Sequence, residues 1–235
     1  MRGGKMGGKS TKNCLLIPIL LPLSTMFDST LDYCQAHTSP VRAVLAELER
    51  ATHLRTLSPQ MLSGAYQGML LRFFSAMIRP RRILEIGTFT GYSTICLADG
   101  LPADGLLYTI EANDELGWLI REYLQKAGVA EKVHLHLGDA TSIIPTLAET
   151  FDLVFIDAGK LDYARHYALA MDKLRLGGFL LADNVLWDGK VAHGDRQDAT
   201  AQVLRDFNLM VMRDVRVENI LLPVRDGVMV VRKVS

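Results

Sequence analysis

The segment "RRILEIGTFTGYS", residues 81–93, joins a short apolar run to a glycine turn and then to a helical stretch. A brief apolar run bounded by turn residues is typical of a strand that is buried on both faces. Four similar runs follow, and helical stretches separate them. They are "GLLYTIEA" (105–112), "KVHLHLGD" (132–139), "FDLVFIDA" (151–158) and "GGFLLADN" (177–184). Strands that alternate with helices predict βαβ units and a parallel sheet.

The remaining segments extend this α/β pattern towards both ends of the chain. The pattern predicts helices at 92–100, 114–128, 141–149 and 162–174, another helix after Asp198, and helical structure throughout 38–80. Near the C-terminus, "VRVENILLPV" and "GVMVVRK" flank Asp226-Gly227, and Asp-Gly between two β-rich runs is a strong hairpin signal. We therefore expect a mostly parallel sheet with an antiparallel C-terminal hairpin and extra N-terminal helices.

The composition excludes several classes of protein. Lys plus Arg and Asp plus Glu both number 26, so the chain has no net charge to attract nucleic acid. The three cysteines lie far apart and form no CxxC pair, which argues against structural zinc and a disulfide framework. We expect reduced thiols, a cytoplasmic location and no nucleic-acid partner.

The first 25 residues contain two signals that we interpret conservatively. "GGKMGGKS", residues 3–10, matches the phosphate-loop pattern, but only two residues precede it where a buried strand is needed. A nucleotide-binding enzyme that uses this loop stays open as an alternative. "CLLIPILLPL", residues 14–23, is too short to span a bilayer and contains two prolines. The sequence predicts a disordered leader over 1–25, a single domain over 26–235, and no membrane association.

Polar residues follow the predicted strands at the point where each strand ends. In open parallel sheets, ligands bind beyond the carboxyl ends of the strands. Five acidic groups at one edge would repel one another unless a cation shared the space. The residues are Glu85, Gly87, Glu111, Asp139, Asp157, Asp183 and Asn184.

The glycine turn after the first strand indicates the kind of ligand. Gly87 and Gly91 let the backbone pass close to a ligand, and Ser93 opens the next helix. The spacing is Gly-x-x-x-Gly, which weakens a nicotinamide dinucleotide interpretation. Glu111 suits a ribose diol, although a solvated strand end would equally explain it alone. Together the turn and Glu111 favour an adenosyl cofactor.

Four ordered motifs carry a resemblance to a known family. "LEIGTFTGYS", "DAGKLDY", "ADNVLWDGKV" and "LLPVRDGVMV" resemble the cation-dependent O-methyltransferases that include the catechol and caffeoyl-coenzyme A enzymes, over about residues 38–233. The resemblance implies a seven-stranded, Rossmann-like class I methyltransferase fold, S-adenosylmethionine as methyl donor, and a homodimer.

The resemblance also implies roles for individual residues. It assigns Glu85, Gly87 and Ser93 to the amino-acid end of the donor, and Glu111 to its ribose. It places Asp139 and Ala140 beside the adenine. Asp157 belongs to both the donor site and the metal site, Asp183 and Asn184 complete the metal ligands, and Lys160 is the catalytic base.

The chemistry of these residues is consistent with that assignment. Two carboxylates and an amide oxygen form a hard ligand set that suits Mg²⁺, Mn²⁺ or Ca²⁺ better than zinc. An octahedral ion with three protein ligands keeps positions for a vicinal diol on an aromatic ring. Metal contact would lower the acceptor's phenolic pKa from about 10 and generate phenolate. The expected function is metal-dependent O-methylation of a catechol-like small molecule, with Lys160 as a mere ion-pair partner of Asp157 as the alternative.

One position departs from the family pattern. The coenzyme A ester branch usually has Asp-Ala-Asp-Lys, whereas this chain has Gly159 in "DAGK". A flexible glycine could loosen the turn that aims Lys160. A methyltransferase-fold protein that binds the donor with weak or no catalysis is therefore the second hypothesis. Trp187 could form part of an aromatic acceptor pocket or anchor its loop, and Met61 and Leu62 lie in the segment expected to cover the donor.

Overall fold

The computed structural model describes residues 29–193 and 197–235. The described residues fall into two units, one that ends at His37 and one that begins at Thr38. The described part of the first unit is helix α1, Thr30–Ala36, whose N-terminus is capped by the Ser29 side chain. The expected leader, the phosphate-loop match and the expected domain start near residue 26 lie outside the described residues. None of the helices within the two described ranges is long and apolar enough to cross a membrane.

The second unit is built on a seven-stranded sheet with the order β3-β2-β1-β4-β5-β7-β6. Strands β1 to β5 pair in parallel, and β7 pairs antiparallel with both β5 and β6. This arrangement confirms the predicted parallel sheet and C-terminal hairpin. The strands are β1 Arg82–Ile86, β2 Leu106–Glu111, β3 Val133–Leu137, β4 Phe151–Ile156, β5 Leu174–Asp183, β6 Val217–Leu222 and β7 Val228–Lys233.

Helices cover both faces of this sheet. Alternate residues of β4 point to opposite cores, since Leu153 and Phe155 belong to one and Val154 and Ile156 to the other. Because β4 is buried on both faces, its sequence is a nearly continuous apolar run and does not alternate between apolar and polar residues. The helices of this unit are α2 Ala43–Arg55, α3 Gly64–Ile78, α4 Tyr92–Ala98, α5 Gly117–Ala127, α6 Ala140–Ile143, α7 Tyr163–Lys173, α8 Lys190–His193 and α9 Ala199–Arg213.

Several helix boundaries differ from the sequence prediction. The helix expected over 141–149 is only α6 and a 3₁₀ turn, Ile144–Thr146. Pro145 lacks an amide hydrogen and fixes its own φ, so an α-helix does not continue through it. The segment 38–80 is likewise interrupted, because Pro59–Met61 forms a 3₁₀ turn between α2 and α3. Helix α8 was not predicted.

Candidate active site

A cavity of about 980 Å³ opens at the carboxyl ends of the parallel strands. The chain runs outward from β1 to β3 and returns to β4 on the other side of β1, so the cavity lies where the winding direction reverses. Glu85 is the one predicted site residue that lies behind the wall. The other nine line the cavity: Gly87, Ser93, Glu111, Asp139, Ala140, Asp157, Lys160, Asp183 and Asn184.

The glycine turn after β1 brings the backbone close to the end of β4. Gly87 has φ +96° and Gly91 has φ +93°, conformations that side chains other than glycine rarely adopt. A Cβ atom on Gly87 would overlap the carbonyl oxygen of Asp157. Both the left-handed conformation and the close approach therefore require glycine at position 87.

Glu111 holds this turn from the end of β2. Its Oε2 accepts hydrogen bonds from the backbone N–H groups of Thr88 (3.2 Å) and Phe89 (2.6 Å), and its Oε1 accepts one from Asn113 N (2.9 Å). These bonds use three of the roughly four lone-pair directions of a carboxylate. One acceptor direction therefore remains for a ligand hydroxyl, whereas a ribose diol offers two.

Glu85 is fully buried beneath the turn. Its Oε2 accepts hydrogen bonds from the hydroxyl groups of Thr94 (2.5 Å) and Thr109 (2.7 Å), whereas Oε1 has no hydrogen-bond partner among the described residues. Burial raises the pKa of Glu85 to about 7, and the hydroxyl groups of Thr109, Thr94 and, least, Ser93 oppose part of this rise. Ser93 lines the cavity, so Glu85 stands one layer behind the surface that a ligand would touch.

The raised pKa of Glu85 predicts a pH-dependent stability. The folded chain keeps this proton up to about pH 7, whereas the unfolded chain releases it near 4.5. The folded state thus binds more protons in this window, and its free energy of unfolding falls as the pH rises through it. Glu85→Gln removes this dependence. We expect urea denaturation to show that the free energy of unfolding falls between pH 5 and 8 by about 2–3 kcal/mol more in the wild type than in Glu85→Gln. Parallel pH profiles of the two proteins would contradict the assignment.

Asp139 and Ala140 lie at the far end of the cavity, and the Asp139 carboxylate accepts hydrogen bonds from the residues that follow it. Its Oδ1 accepts a hydrogen bond from Thr141 N (2.9 Å), and its Oδ2 accepts one from the Thr141 hydroxyl (2.6 Å). The side chain thus caps α6, its own helix. Sequence reasoning missed His166, which lines the same cavity and is only 5% exposed. Its Nδ1 has no hydrogen-bond partner among the described residues, and burial lowers its pKa.

Lys160 lies at the opposite end of the cavity, held by three oxygen atoms. Its Nζ donates to Asp157 Oδ1 (2.9 Å), Asn184 Oδ1 (2.9 Å) and the Tyr163 hydroxyl (2.6 Å). Tyr163 in turn donates to the carbonyl oxygen of Asp183 at 2.8 Å, which leaves its lone pairs for the ammonium group. The Lys160–Asp157 ion pair that the sequence left as an alternative is therefore present. Gly159, with φ −56°, does not prevent the turn from directing Lys160.

Asp183 completes the acidic end of the cavity. Its Oδ1 accepts a hydrogen bond from Asn184 N (2.8 Å), and its Oδ2 accepts one from Gln67 Nε2 on α3. Burial, followed by the neighbouring Asp157 charge, raises the pKa of the Asp183 carboxyl group. Both burial and the Asp157 charge disfavour the ionised form of Asp183. A cation bound at this end of the cavity would offset that cost.

The oxygen atoms at this end fit a hard divalent cation. Asp157 Oδ1 and Asn184 Oδ1 both accept a hydrogen bond from the positively charged Nζ of Lys160. Asp183 directly precedes Asn184 in the sequence. Carboxylate and amide oxygens are the ligands that Mg²⁺ and Ca²⁺ prefer. Within residues 29–193 and 197–235, no three His, Cys, Asp or Glu side chains form a metal-binding group. The predicted ligand set contains only two side chains of these types, Asp157 and Asp183. Its third member is the Asn184 amide, so the predicted site does not require a group of three such residues.

Residues from three further segments also line the cavity. Trp187 lines it and donates from Nε1 to Asp198 Oδ2 at 3.3 Å, so the indole is tied to the start of α9. Met61 lines it from the segment before α3, with 60% of its surface exposed. Arg225, from the β6–β7 turn, also lines it and donates to the carbonyl oxygen of Ser63. Arg225 was not among the predicted site residues.

Comparisons with known proteins identify the family. The family model described as O-methyltransferase matches residues 35–234. The chain is 34% identical to caffeoyl-CoA O-methyltransferase 1 of Eucalyptus globulus over 74% of this chain and 76% of that protein. It is also 34% identical to a catechol O-methyltransferase of Niastella koreensis, over 70% and 76% of the two chains.

A solved structure gives the same result in three dimensions. The O-methyltransferase of Streptomyces achromogenes that is involved in tomaymycin synthesis, determined in complex with SAM, aligns with a TM-score of 0.78 and 34% identity. The alignment covers 86% of this chain and 95% of that one. The fold and the cavity thus define a class I methyltransferase. The chain belongs to the O-methyltransferase family and is an S-adenosylmethionine-dependent O-methyltransferase.

Proposed function

We propose that this methyltransferase transfers the methyl group to a hydroxyl of a catechol-like aromatic diol with the help of a divalent cation, Mg²⁺ in the first place. The observation that carries the proposal is that Asp157 Oδ1 and Asn184 Oδ1 converge on a single cationic atom, Nζ of Lys160, which lies 2.9 Å from each. Similarity to catechol and caffeoyl-CoA enzymes supports the same acceptor chemistry.

Three side chains would hold the divalent ion. Asp157, Asp183 and Asn184 supply a hard oxygen donor set at one end of the cavity. When bound, the ion would act as a Lewis acid that makes an acceptor hydroxyl more acidic. The Asp183 carboxylate is oriented by two hydrogen bonds, so this ligand is held in place by the fold.

In its neutral form, reached by releasing one proton to solvent when the divalent cation binds beside it, Lys160 would take the proton that the acceptor hydroxyl loses. Its side chain is only 12% exposed, and its Nζ lies between two of the proposed ligands. The Tyr163 hydroxyl accepts a third hydrogen bond from the amine and helps to hold it in place. Methyl transfer from a sulfonium to a phenolate cancels two opposite charges, and a site sheltered from water favours that cancellation.

The other end of the cavity would bind the methyl donor. Glu111 keeps one acceptor direction for a ribose hydroxyl, and the turn from Gly87 to Ser93 presents backbone close to the ligand. Glu85 would act on the donor's amino-acid end from behind Ser93. Asp139 and Ala140 would line the site beside the adenine, and the Asp139 carboxylate, which caps α6, keeps one acceptor direction free.

The test is methyl transfer from S-adenosylmethionine to catechol by the full chain, with and without a chelator. We expect EDTA to reduce the rate by at least about 100-fold, because Lewis-acid stabilisation contributes several kcal/mol, and added Mg²⁺ to restore it. Phenol and 1,4-dihydroxybenzene serve as controls, because neither has vicinal hydroxyl groups. Equal rates with EDTA, or catechol no better than phenol, would contradict the proposal.

A donor-binding protein without competent catalysis was the alternative suggested by Gly159. A side chain at this position meets no atom within 4 Å, and the backbone has an ordinary φ. The three contacts of Lys160 likewise give no support for a misdirected base. Donor binding without turnover across a panel of diols would favour this alternative. We further propose that the enzyme works as a homodimer, which the family resemblance implies, and in the cytoplasm, which the widely spaced cysteines favour.

A further inference from the structure

Gln67 on α3 contacts the active site without lining the cavity. Its side chain is 1% exposed, and its Nε2 donates to Oδ2 of Asp183, 116 residues further along the chain. Its Oε1 is buried and has no hydrogen-bond partner among the described residues. The contact with Asp183 is therefore the one polar contact that the described structure gives this buried amide.

The surrounding sequence explains how the amide reaches β5. Gly68 allows α3 to approach α4 closely, since a Cβ atom there would overlap the ring of Tyr92 and the sulfur of Cys96. Arg225 donates to the carbonyl oxygen of Ser63, the residue directly before α3. The close helix contact and this tie together fix the first turn of α3, where Gln67 lies.

The chemistry of an amide suits a carboxylate that must bind a cation. A lysine or arginine at this position would neutralise Asp183 and compete with the ion, whereas an amide N–H orients the oxygen without adding charge. Backbone Asn184 N holds Oδ1 in the same manner, so both carboxylate oxygens are fixed by neutral donors.

We propose that Gln67 is a positioning residue that holds Asp183 in the orientation needed to bind the divalent cation. The inference rests on the proposed function, because it requires a cation at Asp157, Asp183 and Asn184. Gln67 acts through Asp183 and touches neither donor nor acceptor. Hydrogen-bonded partners of metal ligands typically contribute 10-fold to 100-fold to metal affinity.

The experiment measures Mn²⁺ binding to the full chain by the electron paramagnetic resonance signal of free Mn²⁺. Gln67→Met keeps the volume of the side chain and removes the donor, and we expect it to weaken Mn²⁺ binding by at least about tenfold. Affinity for S-adenosylhomocysteine, measured by calorimetry without metal, should stay within about twofold, because Gln67 does not contact the glycine turn.

Ser75→Ala is the matched control on the same helix. Ser75 is fully buried and donates to the carbonyl oxygen of Leu97 at 2.6 Å, so its loss perturbs α3 packing away from Asp183. We expect unchanged Mn²⁺ affinity in this variant. If Gln67→Met does not fold, Gln67→Asn, which withdraws the amide by one methylene, carries the same test.

Each outcome separates the two proposals. Wild-type affinity in the Gln67 variant, or equal weakening in the Ser75 control, would overturn the role of Gln67 and leave the metal site standing. Failure of the wild-type chain to bind Mn²⁺ would overturn both the metal site and the role of Gln67. Weaker binding in the Gln67 variant alone supports the proposal.

Discussion

Replacing Lys160 with methionine should reduce kcat for catechol methylation by about 10²-fold to 10⁴-fold, the usual contribution of a positioned general base. The substitution removes the amine that bonds to Asp157, Asn184 and Tyr163 and keeps most of the side-chain volume. Steady-state kinetics at saturating donor and Mg²⁺ measure the effect. Mn²⁺ affinity should be equal or higher, because the ammonium group no longer shares the two oxygens with the ion.

Lys132→Met is the control for loss of a lysine. Lys132 Nζ donates to the carbonyl oxygen of Pro102, and Lys132 does not line the cavity. The kcat of the Lys132→Met variant should therefore match that of the wild type. If Lys160→Met keeps full activity, Lys160 is only an ion-pair partner of Asp157. If it loses activity together with Mn²⁺ binding, its role is to shape the metal site, and the assignment as a base is wrong.

Of the substitutions described, Gly87→Ala should lower the free energy of unfolding most. An alanine in the left-handed conformation costs about 1–2 kcal/mol, and the overlap with the carbonyl oxygen of Asp157 must be relieved by separating β1 from β4. We expect a loss of more than about 3 kcal/mol, which lowers Tm by roughly 6–12 °C for a chain of this size. Differential scanning calorimetry measures the shift.

Gly159→Ala is the matched control at the same edge of the sheet. Gly159 has φ −56°, and no atom lies within 4 Å of the position that an alanine Cβ would take. Alanine should therefore change the free energy of unfolding by less than about 1 kcal/mol. A similar Tm for the two variants would show that the turn relaxes freely. The close approach of Gly87 to Asp157 would then not be a constraint.

The sequence predicted the sheet and most of the cavity for one physical reason. Parallel strands place their carboxyl ends at one edge, so residues that follow separate strands, such as Glu111 and Asp157, must meet. Nine of the ten predicted site residues line the cavity. Their individual roles in binding and catalysis stay predictions until the proposed variants are measured.

Contacts that depend on helix placement could not be predicted in the same way. Gln67 lies on a helix with no spacing signal that relates it to Asp183, and its contact arises from the close approach of α3 at Gly68. Glu85 follows the strand-end pattern, yet the alternation along β1 turns its side chain beneath the glycine turn. The helix expected after β3 ran through Pro145, although proline is itself a sequence signal that ends a helix.

The most direct test is a crystal structure of the chain with Mn²⁺ and S-adenosylhomocysteine, in which anomalous scattering locates the metal. Our account predicts one Mn²⁺ ion within about 2.0–2.6 Å of oxygen atoms from Asp157, Asp183 and Asn184, the range for hard cations. The sulfur of S-adenosylhomocysteine should lie in the same cavity. A metal peak bound elsewhere, or one that contacts none of these three side chains, would contradict it.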